Sequence, residues 1–253
     1  MARRDEKESR RIYNRIAERY HAARTRNELF YNEYLEVPAF LSVLGNIRGR
    51  RVLDVGCGSG ISAKLLKARG AQVSGIDASE RMIEIARREA AGVDFKVGSI
   101  YKMPYPNRHF DLVTASLVVE HLRRLKIAFV EINRVLKRNG VFVFSTHNPV
   151  VAATHTAHKT GKGNRRDFCN YFDEGLRYTY WNRRQRVIGR RAIRMPLWHV
   201  TYQTLIRTIL ASGFAIEDYV DARPAKEGRR ANPDAYAVTS TMPYFCVFRV
   251  RKL

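Results

Sequence analysis

A glycine-rich run between two apolar segments carries the clearest chemical signal in the sequence. Residues 54–60 read Asp-Val-Gly-Cys-Gly-Ser-Gly, which places three glycines at the spacing GxGxG. Glycines allow a tight backbone turn and a close approach to a ligand, and the N-terminus of the helix that follows favours anionic groups. The spacing differs from the GxGxxG of dinucleotide-binding folds, and it excludes the GxxxxGK(S/T) phosphate loop. The run therefore predicts a ligand-binding turn of another kind.

A carboxylate at the end of the next apolar segment strengthens this prediction. Asp77 follows the strand-like residues 72–76 and lies 21 residues beyond Gly56. An acidic side chain meets the ribose hydroxyls of a nucleotide at a separation of roughly 20 residues in βαβ units. The alternative is purely structural, with the glycines forming a turn and Asp77 capping a helix at Ser79. The two features together favour a nucleotide-like ligand.

Four histidines are candidates for accepting a proton from a bound substrate. His147 follows the apolar residues 141–146, at the edge where parallel sheets bind ligands, and is the best placed of the four. His199 precedes a helical segment and is also explained as a helix-capping residue. His155 and His158 lie in a polar stretch, where exposure to solvent explains them as well as a chemical role does.

The elements that must position these residues alternate from residue 51 onward. The hydrophobic pattern predicts strands at residues 52–55, 72–76, 93–97, 110–115 and 141–146, with helices at 61–69, 79–91 and 124–138. Repeated βα units of this kind form a parallel sheet with helices on both faces. Two later strand-like segments, 214–220 and 244–250, are separated by prolines and a glycine that leave little room for a helix. These two segments are therefore predicted to pair antiparallel.

Two regions fall outside the alternation. Residues 1–48 carry apolar side chains at helical spacing and are predicted to form an N-terminal helical lid. Residues 147–197 are polar, aromatic and basic without a clear period, and they are too long for a plain loop. They are predicted to form a cap insertion over the carboxyl ends of the strands. The chain, residues 1–253, is then one α/β domain with a doubly wound, mostly parallel seven-stranded sheet and an antiparallel final strand.

The charge of the chain limits its class of partner. Lysine and arginine number 46 against 24 aspartates and glutamates, which gives a formal net charge of +22. Such a charge suggests attraction to nucleic acid, an anionic membrane surface or an acidic substrate. However, the basic residues are spread along the chain, whereas a nucleic-acid footprint is usually a patch. We expect a solvated basic surface, and RNA stays open as a partner.

Other features of the composition bear on location and metal binding. The sequence has no run of about 18 apolar residues, which excludes a membrane-spanning helix. Its charged N-terminus has no apolar stretch behind it, so a cytoplasmic location is expected rather than secretion. The three cysteines are scattered without a CxxC pair, which argues against a disulfide scaffold and against a zinc ribbon. No metal site is expected.

Four blocks of the chain together resemble the class I S-adenosylmethionine-dependent methyltransferases. In chain order they are VLDVGCGSG, GIDASERMIEIAR, FDLVTASLVVEHL and RVLKRNGVFVFST. The small-molecule branch that serves ubiquinone and menaquinone biosynthesis is the most similar. The resemblance implies a Rossmann-like sheet, S-adenosyl-L-methionine as methyl donor and S-adenosyl-L-homocysteine as product. It is much less specific for the methyl acceptor.

The family pattern implies roles for several residues around the cofactor. Asp54 and the backbone of Gly56 and Gly58 would hold the amino-acid part, and Asp77 would hold the ribose diol. The segment around Tyr20 resembles the entry helix of the family, whose aromatic side chains close over the cofactor. Tyr20 is accordingly expected to hydrogen-bond the cofactor carboxylate.

Further residues would contact the adenine and the methionine moiety. Ala78 and Met82 would pack on the adenine. Many relatives have an aspartate where Ser99 stands beside Ile100, and that aspartate accepts a bond from the adenine amino group. The neutral hydroxyl of Ser99 is a weaker acceptor. Two residues near the end of the fourth strand would complete the pocket beside the methionine moiety: Ser116 and His121.

The reaction implied is an in-line transfer of the methyl group to a small-molecule acceptor. Alignment of the reactants lowers such a barrier by proximity, by up to about 7–11 kcal/mol. A general base adds about 10²–10⁴-fold only when the acceptor is a weakly acidic O–H or N–H, and His147 and His199 are the candidates. Aromatic side chains of the cap, Tyr180 and Trp181 above all, are predicted to line the acceptor pocket. They would otherwise pack a small core beneath the insertion.

Two other functions stay open. An RNA methyltransferase would use basic side chains interleaved with aromatic ones, as in residues 178–184, for stacking and phosphate contact. Against it, the fourth strand is not followed by the (D/N/S)PP(Y/F) motif of enzymes that methylate base amino groups. A protein that binds the cofactor without transferring a methyl group would also keep this fold.

Overall fold

A central β-sheet organises the protein. The computed structural model describes residues 4–160, 163–168, 170–181, 188 and 192–253. The strands of this part of the chain are β1 (Arg51–Val55), β2 (Gln72–Asp77), β3 (Asp94–Val97), β4 (Phe110–Ala115), β5 (Leu136–His147), β6 (Thr154–Thr160), β7 (Gly163–Phe168), β8 (Gly175–Trp181), β9 (Ile193–His199), β10 (Phe214–Asp221) and β11 (Phe245–Lys252).

Seven of these strands form the sheet, in the order β10-β11-β5-β4-β1-β2-β3. β1 pairs parallel with β2 and β4, β2 with β3, and β4 with β5. The last strand runs antiparallel between β5 and β10. The predicted Rossmann-like fold, with a mostly parallel sheet and an antiparallel final strand, is therefore confirmed. Because β1, β2, β4 and β5 run in one direction, their carboxyl ends meet at one edge of the sheet.

Helices cover both faces of this sheet. In the described residues they are α1 (Arg4–Thr25), a π-helix (Tyr31–Glu36), α2 (Val37–Ser42), α3 (Ile61–Ala68), α4 (Glu80–Glu89), a 3₁₀ helix (Val119–His121), α5 (Leu125–Val135), α6 (Pro149–Ala152), α7 (Tyr202–Ala211), α8 (Gly228–Ala231) and α9 (Pro233–Thr239). One core contains side chains of α5 and α7 together with the strands. A second core contains side chains of the π-helix, α2, α3 and α4.

The helix predicted at residues 124–138 is shorter than expected. It ends at Val135, and the rest of that segment belongs to β5. The prediction was wrong because Asn139, with a positive φ of 59°, lies within the strand and does not end a helix. The pairing of β5 with β4 shifts register between Phe110 and Leu112, so the extra residues form an irregularity in the strand.

The segment between β10 and β11 also differs from the prediction. It contains α8 and α9, although its prolines were expected to prevent a helix. The side chain of Asn232 caps α9 by accepting a bond from Ala235 N at 3.0 Å. Pro233 follows in the first turn, where its missing N–H costs no helical hydrogen bond. The expected antiparallel pairing of β10 and β11 is confirmed.

Two hairpins occupy much of residues 147–197, where the sequence shows no clear period. They are formed by β6 with β7 and by β8 with β9, and neither joins the central sheet. Most residues of β8 are half-buried instead of alternating between buried and exposed, so the strand leaves little alternation in the sequence. Among the described helices, none is long and apolar enough to cross a bilayer.

Replacing Phe129 with alanine should destabilise the fold by about 3–5 kcal/mol, the usual range for a core aromatic side chain. Phe129 is fully buried on α5, with its ring centroid 5.5 Å from that of Phe142 and 5.3 Å from that of Phe144. Val130→Ala is the matched control, because Val130 is 48% exposed and its loss should change stability by about 0.5 kcal/mol or less. Urea unfolding measures both values, and equal stabilities would contradict this packing.

Candidate functional site

A cavity of about 1890 Å³ opens at the carboxyl ends of the parallel strands. Its walls come from the loop after β1, the end of β2, the segment after β4, α1, β8 and the connection between β10 and β11. Pockets for single ligands usually measure about 300–1,000 Å³. This cavity therefore has room for two small molecules at once.

The glycine-rich loop after β1 places bare backbone at the cavity wall. Gly56, Gly58 and Gly60 have φ angles of 65°, 51° and 82°, in the left-handed region that favours glycine. A Cβ on Gly56 would lie 2.3 Å from Cγ2 of Val118, so a larger residue does not fit there. The loop is thus shaped by its glycines, and a ligand can approach its peptide groups closely.

Asp54, on β1, lines the cavity with one carboxylate oxygen unpaired. The residue is 1% exposed, and its Oδ1 accepts a bond from Thr114 Oγ1 at 2.9 Å. Among the described residues, none donates a hydrogen bond to Oδ2. Burial raises the pKa of Asp54 to about 7, and the bond from Thr114 opposes this rise. The free oxygen suits a ligand cation such as an ammonium group.

Asp77 ends β2 and ties the glycine-rich loop to α4. Its Oδ2 accepts a bond from Gly58 N at 2.9 Å, and its Oδ1 accepts one from Ser79 N at 2.8 Å. Burial raises the pKa of Asp77, and these backbone bonds limit the rise. Each carboxylate oxygen has a further lone pair, so Asp77, which lines the cavity, can still accept bonds from two hydroxyl groups.

Tyr20 and Arg24, one turn apart on α1, both line the cavity. Nη1 of Arg24 donates to the Tyr20 hydroxyl at 3.3 Å, and the guanidinium forms an ion pair with Glu33. Nη2 of Arg24 is buried and has no hydrogen-bond partner in the described part of the chain. A guanidinium nitrogen in this position suits a ligand carboxylate. The ring of Tyr20 stacks on that of Trp181, with centroids 6.2 Å apart.

Polar contacts hold α1 over the cavity. Oδ1 of Asn14 accepts bonds from Ser79 Oγ at 2.6 Å and from Arg81 N at 3.2 Å, at the start of α4. Nδ1 of His21 lies 2.9 Å from Oγ of Ser59, in the glycine-rich loop. Ion pairs between α1 and α4 add to these contacts: Arg10 with Glu80, Arg81 with Glu18, and Arg88 with Glu18. The helix is therefore fixed to both segments that would surround a ligand.

Apolar side chains line the cavity beside the end of β2. They belong to Ala78, Met82 and Ile100, and Met82 is almost fully buried. Ser99 does not line the cavity, and its Oγ accepts a bond from Tyr101 N at 3.2 Å. Ala78, Met82 and Ile100 therefore lie in the cavity wall with Asp77, as predicted, whereas Ser99 lies outside that wall.

Ser116, after the end of β4, lines the cavity and is bonded to a buried carboxylate. Its Oγ donates to Oε1 of Glu36 at 2.8 Å, and Oγ of Ser145 on β5 donates to the same oxygen at 2.5 Å. Burial raises the pKa of Glu36, although the two serine bonds oppose this rise. Glu36 belongs to the π-helix, a rare geometry that often occurs at functional sites.

His147 ends β5 and lines the cavity next to a second buried glutamate. Its Nδ1 lies 3.3 Å from Oε1 of Glu120, whose side chain is 3% exposed. Burial alone would raise the pKa of Glu120, but the close approach of the His147 ring outweighs that effect, and the pKa lies below its ordinary value. A base oriented by a carboxylate is an arrangement suited to proton transfer.

His121 also lines the cavity, but both of its ring nitrogens are engaged. Nδ1 lies 3.0 Å from the carbonyl oxygen of Pro196, so Nδ1 must carry the proton and donate it. Nε2 then accepts a bond from the Tyr13 hydroxyl at 3.3 Å. Burial lowers the pKa of His121, which keeps the ring neutral as a link between the 3₁₀ helix, α1 and β9.

The structure does not bring His199 to this cavity. It is 2% exposed, and its Nε2 donates to the carbonyl oxygen of Tyr171 at 2.8 Å. It does not cap the next helix either, because Thr201 does so by accepting a bond from Thr204 N. His199 is therefore a buried, packed residue at the end of β9, and it is not placed to act as a base in this cavity.

The hairpin of β8 and β9 brings Tyr180 and Trp181 to the cavity wall. Trp181 packs against α1, with its ring centroid 6.0 Å from that of Tyr13. These two predicted residues therefore lie in the wall that the hairpin shares with α1. The side chains of His155 and His158 lie outside the described part of the chain.

Three features of the site were missed by the sequence analysis. Arg24 lies four residues after Tyr20, a spacing that places both on one face of a helix and could have signalled it. Glu120 directly precedes His121 in the block FDLVTASLVVEHL. Its proximity to His147 could not be predicted without knowing that β4 and β5 are neighbours in the sheet. The cavity wall formed by α9 was not predicted, because the prolines of that segment argued against a helix.

Comparison with known proteins agrees with this geometry. Residues 53–144, from β1 into β5, match a family described as "Methyltransferase domain". The chain is similar to the crystal structure of an S-adenosylmethionine-dependent methyltransferase from Mesorhizobium loti. The match covers 86% of this chain and 97% of that protein. The two share 27% sequence identity and a TM-score of 0.71.

Two curated relatives match shorter stretches. The ubiquinone biosynthesis O-methyltransferase of Alkalilimnicola ehrlichii is 36% identical over 110 residues, which is 42% of this chain and 44% of that protein. The demethylmenaquinone methyltransferase of Thermotoga maritima is 29% identical over 145 residues, which is 56% of this chain and 63% of that protein. The matches thus span about half the length of these relatives. Residues 53–144 are thus a methyltransferase domain by their family match, and the fold of the chain is that of S-adenosylmethionine-dependent methyltransferases.

Proposed function

We propose that the chain transfers a methyl group from S-adenosyl-L-methionine to a small-molecule acceptor in this cavity. The observation that carries the proposal is Oδ2 of Asp54, which is buried at the cavity wall beside the glycine-rich loop without a donor among the described residues. Leaving a carboxylate oxygen buried and unpaired costs free energy. The ammonium group of the cofactor's amino-acid part would remove that cost.

The remaining cofactor contacts follow from the same wall. The free lone pairs of Asp77 suit the ribose diol. Ala78, Met82 and Ile100 offer the apolar surface that a flat adenine needs. Nη2 of Arg24 suits the cofactor carboxylate, and the Tyr20 hydroxyl beside it would share this contact. Two predicted residues would lie beside the methionine moiety: Ser116 and His121.

Methyl transfer then depends on alignment. The cofactor supplies a methyl group that is already activated by a positively charged sulfur. The chain has to hold the acceptor in line with that methyl group, which is worth up to about 7–11 kcal/mol. The buried carboxylates of Glu36, Asp54 and Glu120 make the cavity attractive to a cation. Residues 1–48, as a lid, and residues 147–197, as a cap, would exclude water.

A small-molecule acceptor is favoured over RNA. The two relatives take their names from quinone biosynthesis, and the cavity is covered by α1 and the hairpin of β8 and β9. Some basic residues form ion pairs at separate places in the described part of the molecule, for example Arg134 with Glu131 and Arg249 with Glu217. Dispersed, paired charges favour a solvated surface over a nucleic-acid footprint.

Methyl transfer from labelled S-adenosyl-L-methionine tests the proposal directly. The full chain should label members of a panel of phenols and quinone precursors and leave total RNA unlabelled. Selective labelling of RNA at physiological salt would overturn the small-molecule acceptor. A failure to bind S-adenosyl-L-homocysteine in calorimetry would overturn the cofactor site itself.

Asp77→Asn should weaken binding of S-adenosyl-L-homocysteine by about 1.5–3 kcal/mol, or roughly 10- to 150-fold, the scale of hydrogen bonds to a charged group. The amide keeps the shape of the side chain but presents one acceptor oxygen instead of two. Asp94→Asn is the control, because Asp94 starts β3, is 60% exposed and pairs with Lys96 at 3.5 Å. Calorimetry that finds equal affinities for the two variants would contradict the ribose contact.

Cofactor affinity should fall as the pH drops below about 7. The pKa of Asp54 is raised to about 7 by burial, and pairing with a ligand ammonium group would lower it, so binding below this pH must release a proton. One released proton weakens binding about tenfold for each pH unit. Calorimetry in buffers of different ionisation enthalpy counts that proton, and Asp54→Asn should abolish the slope. An affinity that stays flat over this range would place the ammonium group elsewhere.

Arg24→Met should weaken binding of S-adenosyl-L-homocysteine roughly 10- to 150-fold and leave binding of 5′-methylthioadenosine within about twofold. The second ligand lacks the amino-acid part that Arg24 is proposed to hold. Because the substitution also breaks the ion pair with Glu33, the ratio of the two affinities isolates the ligand contact. Equal losses for both ligands would show that Arg24 only supports the fold.

A further inference from the structure

We propose that a second part of the cavity binds a planar, apolar acceptor with a weakly acidic hydroxyl group, and that His147, held by Glu120, takes the proton of that hydroxyl. We call this part the acceptor lobe, and its wall consists of Phe30, Tyr31, Val238, Met242, Tyr244 and Phe245. The inference rests on the proposed function, because it needs a methyl donor in the rest of the cavity. In this proposal the acceptor lies away from Tyr180 and Trp181, the two residues that the sequence predicted to line the acceptor pocket.

The order of the strands separates this lobe from the cofactor contacts. Asp54 and Asp77 lie on β1 and β2, whereas β5 and β11 lie beyond β4 on the other side of the sheet centre. A ligand that extends from the end of β2 to the end of β4 leaves the region over β5 and β11 free. The cavity volume of about 1890 Å³ is also larger than one small ligand needs.

The wall of the lobe is mainly aromatic. The ring centroids of Tyr31 and Tyr244 are 5.1 Å apart, and those of Phe30 and Tyr31 are 5.7 Å apart. Val238 adds an aliphatic side chain from α9. The polar residues that line the cavity from the same segments are Asn32, Asn232, Asp234 and Thr241. A wall of this kind suits a flat apolar ring, which can stack on aromatic faces or meet their edges.

Backbone contacts hold the wall in place. Ala225 N donates to the carbonyl oxygen of Tyr34 at 2.7 Å, between the β10–β11 connection and the π-helix. A Cβ on Gly228 would lie 3.0 Å from Cε2 of Phe30, so α8 packs closely on that ring. At the other end of the connection, Asn148 N donates to the carbonyl oxygen of Tyr244 at 2.9 Å. The lobe is therefore a fixed recess in the described structure.

His147 lies at the border of the lobe. Its ring meets that of Phe245 edge-on, with centroids 5.1 Å apart. Nδ1 lies 3.3 Å from Oε1 of Glu120, at an ion-pair distance without hydrogen-bond geometry, so Nε2 is the nitrogen that we assign to the ligand. At this distance Glu120 would stabilise the imidazolium that forms when Nε2 accepts a proton, and the ion pair so formed would hold the ring. His121, from the same 3₁₀ helix as Glu120, also interacts electrostatically with His147.

A hydroxyl is the acceptor group that needs such a pair. Its oxygen forms a bond to the methyl carbon while the carbon–sulfur bond breaks and the electron pair of that bond stays on sulfur. The hydroxyl proton passes to Nε2 of His147 and then to solvent. A neutral amine attacks through a free lone pair, and an acceptor that is already ionised has no proton to give. The need for His147 should therefore follow the acidity of the acceptor.

The test compares catechol with 4-nitrocatechol, whose more acidic hydroxyl is ionised at the assay pH. His147→Gln should lower kcat for catechol about 10²–10⁴-fold and lower kcat for 4-nitrocatechol far less. Glu120→Gln should show the same contrast with a smaller loss, about tenfold or more for catechol, since Glu120 is a positioning residue. The KM of both compounds should change little, because neither side chain is part of the apolar wall.

His109→Gln is the matched control for these variants. His109 precedes β4, at the opposite end of that strand from the cavity, and its ring contacts Phe110 with centroids 4.8 Å apart. The kcat of the His109→Gln variant for catechol and for 4-nitrocatechol should equal that of the unaltered chain. Melting temperatures and S-adenosyl-L-homocysteine affinities of all three variants show whether any of them is misfolded or has lost the cofactor site.

A substitution in the wall tests the lobe without altering the base. Val238→Trp should fill the lobe and lower kcat/KM for catechol at least tenfold while the affinity for S-adenosyl-L-homocysteine stays within about twofold. Tyr236→Trp, on the same helix but outside the cavity wall, should leave both quantities unchanged.

The outcomes separate this inference from the proposed function. If the chain binds S-adenosyl-L-homocysteine but methylates no hydroxylated ring compound in the panel, or methylates only amines, the acceptor lobe is wrongly assigned and the cofactor site stands. Equal losses of kcat for catechol and 4-nitrocatechol in His147→Gln would overturn the role of His147 as base. If the unaltered chain does not bind S-adenosyl-L-homocysteine, the proposed function fails first.

Discussion

Carboxylates buried at one edge of the sheet are the constraint on which the rest of the site depends. Glu36, Asp54 and Glu120 each have one oxygen without a hydrogen-bond partner among the described residues. Taking such groups out of water is costly unless a cation or a donor joins them. Parallel strands bring Asp54 and Glu120 to one edge, where the carboxyl ends of β1, β2, β4 and β5 meet, and the π-helix adds Glu36 there. The protein therefore carries, before any ligand binds, an electrostatic arrangement suited to a cation.

The helix over this edge completes the arrangement and depends on it. α1 contributes the guanidinium of Arg24 to the cavity, so a ligand with both a positive and a negative group meets partners for each. Asn14 and His21 fix the same helix to α4 and to the glycine-rich loop, which are also the segments that Asp77 joins. One hydrogen-bond network thus connects α1 with α4 and the glycine-rich loop, and the loss of one contact affects all three segments.

The parts of the fold that follow from local pattern could be predicted, and the parts that need long-range contact could not. Apolar runs, glycine spacing and the capping residue Ser79 are local signals, and the strands of the sheet and α4 follow from them. The pairing of Glu120 with His147 joins residues that are 27 positions apart, and it depends on β4 and β5 being neighbours. Pro233 was interpreted as a helix breaker, although as the first residue of α9 it is compatible with a helix. The π-helix lies in a segment predicted to be helical, but the spacing of its apolar residues does not distinguish a π-helix from an α-helix.

The segment that forms one wall of the acceptor lobe is far from the glycine-rich loop in the chain. Residues 222–244 join two strands at the edge of the sheet, whereas residues 56–60 follow β1, a strand inside the sheet. Such a connection tolerates insertions and exchanges of sequence that a central strand does not. Duplicated genes with this architecture can therefore diverge in the compounds they modify by changes confined to one short stretch, while their dependence on the donor is inherited intact. The same separation makes this stretch a suitable place for grafting a new specificity in the laboratory.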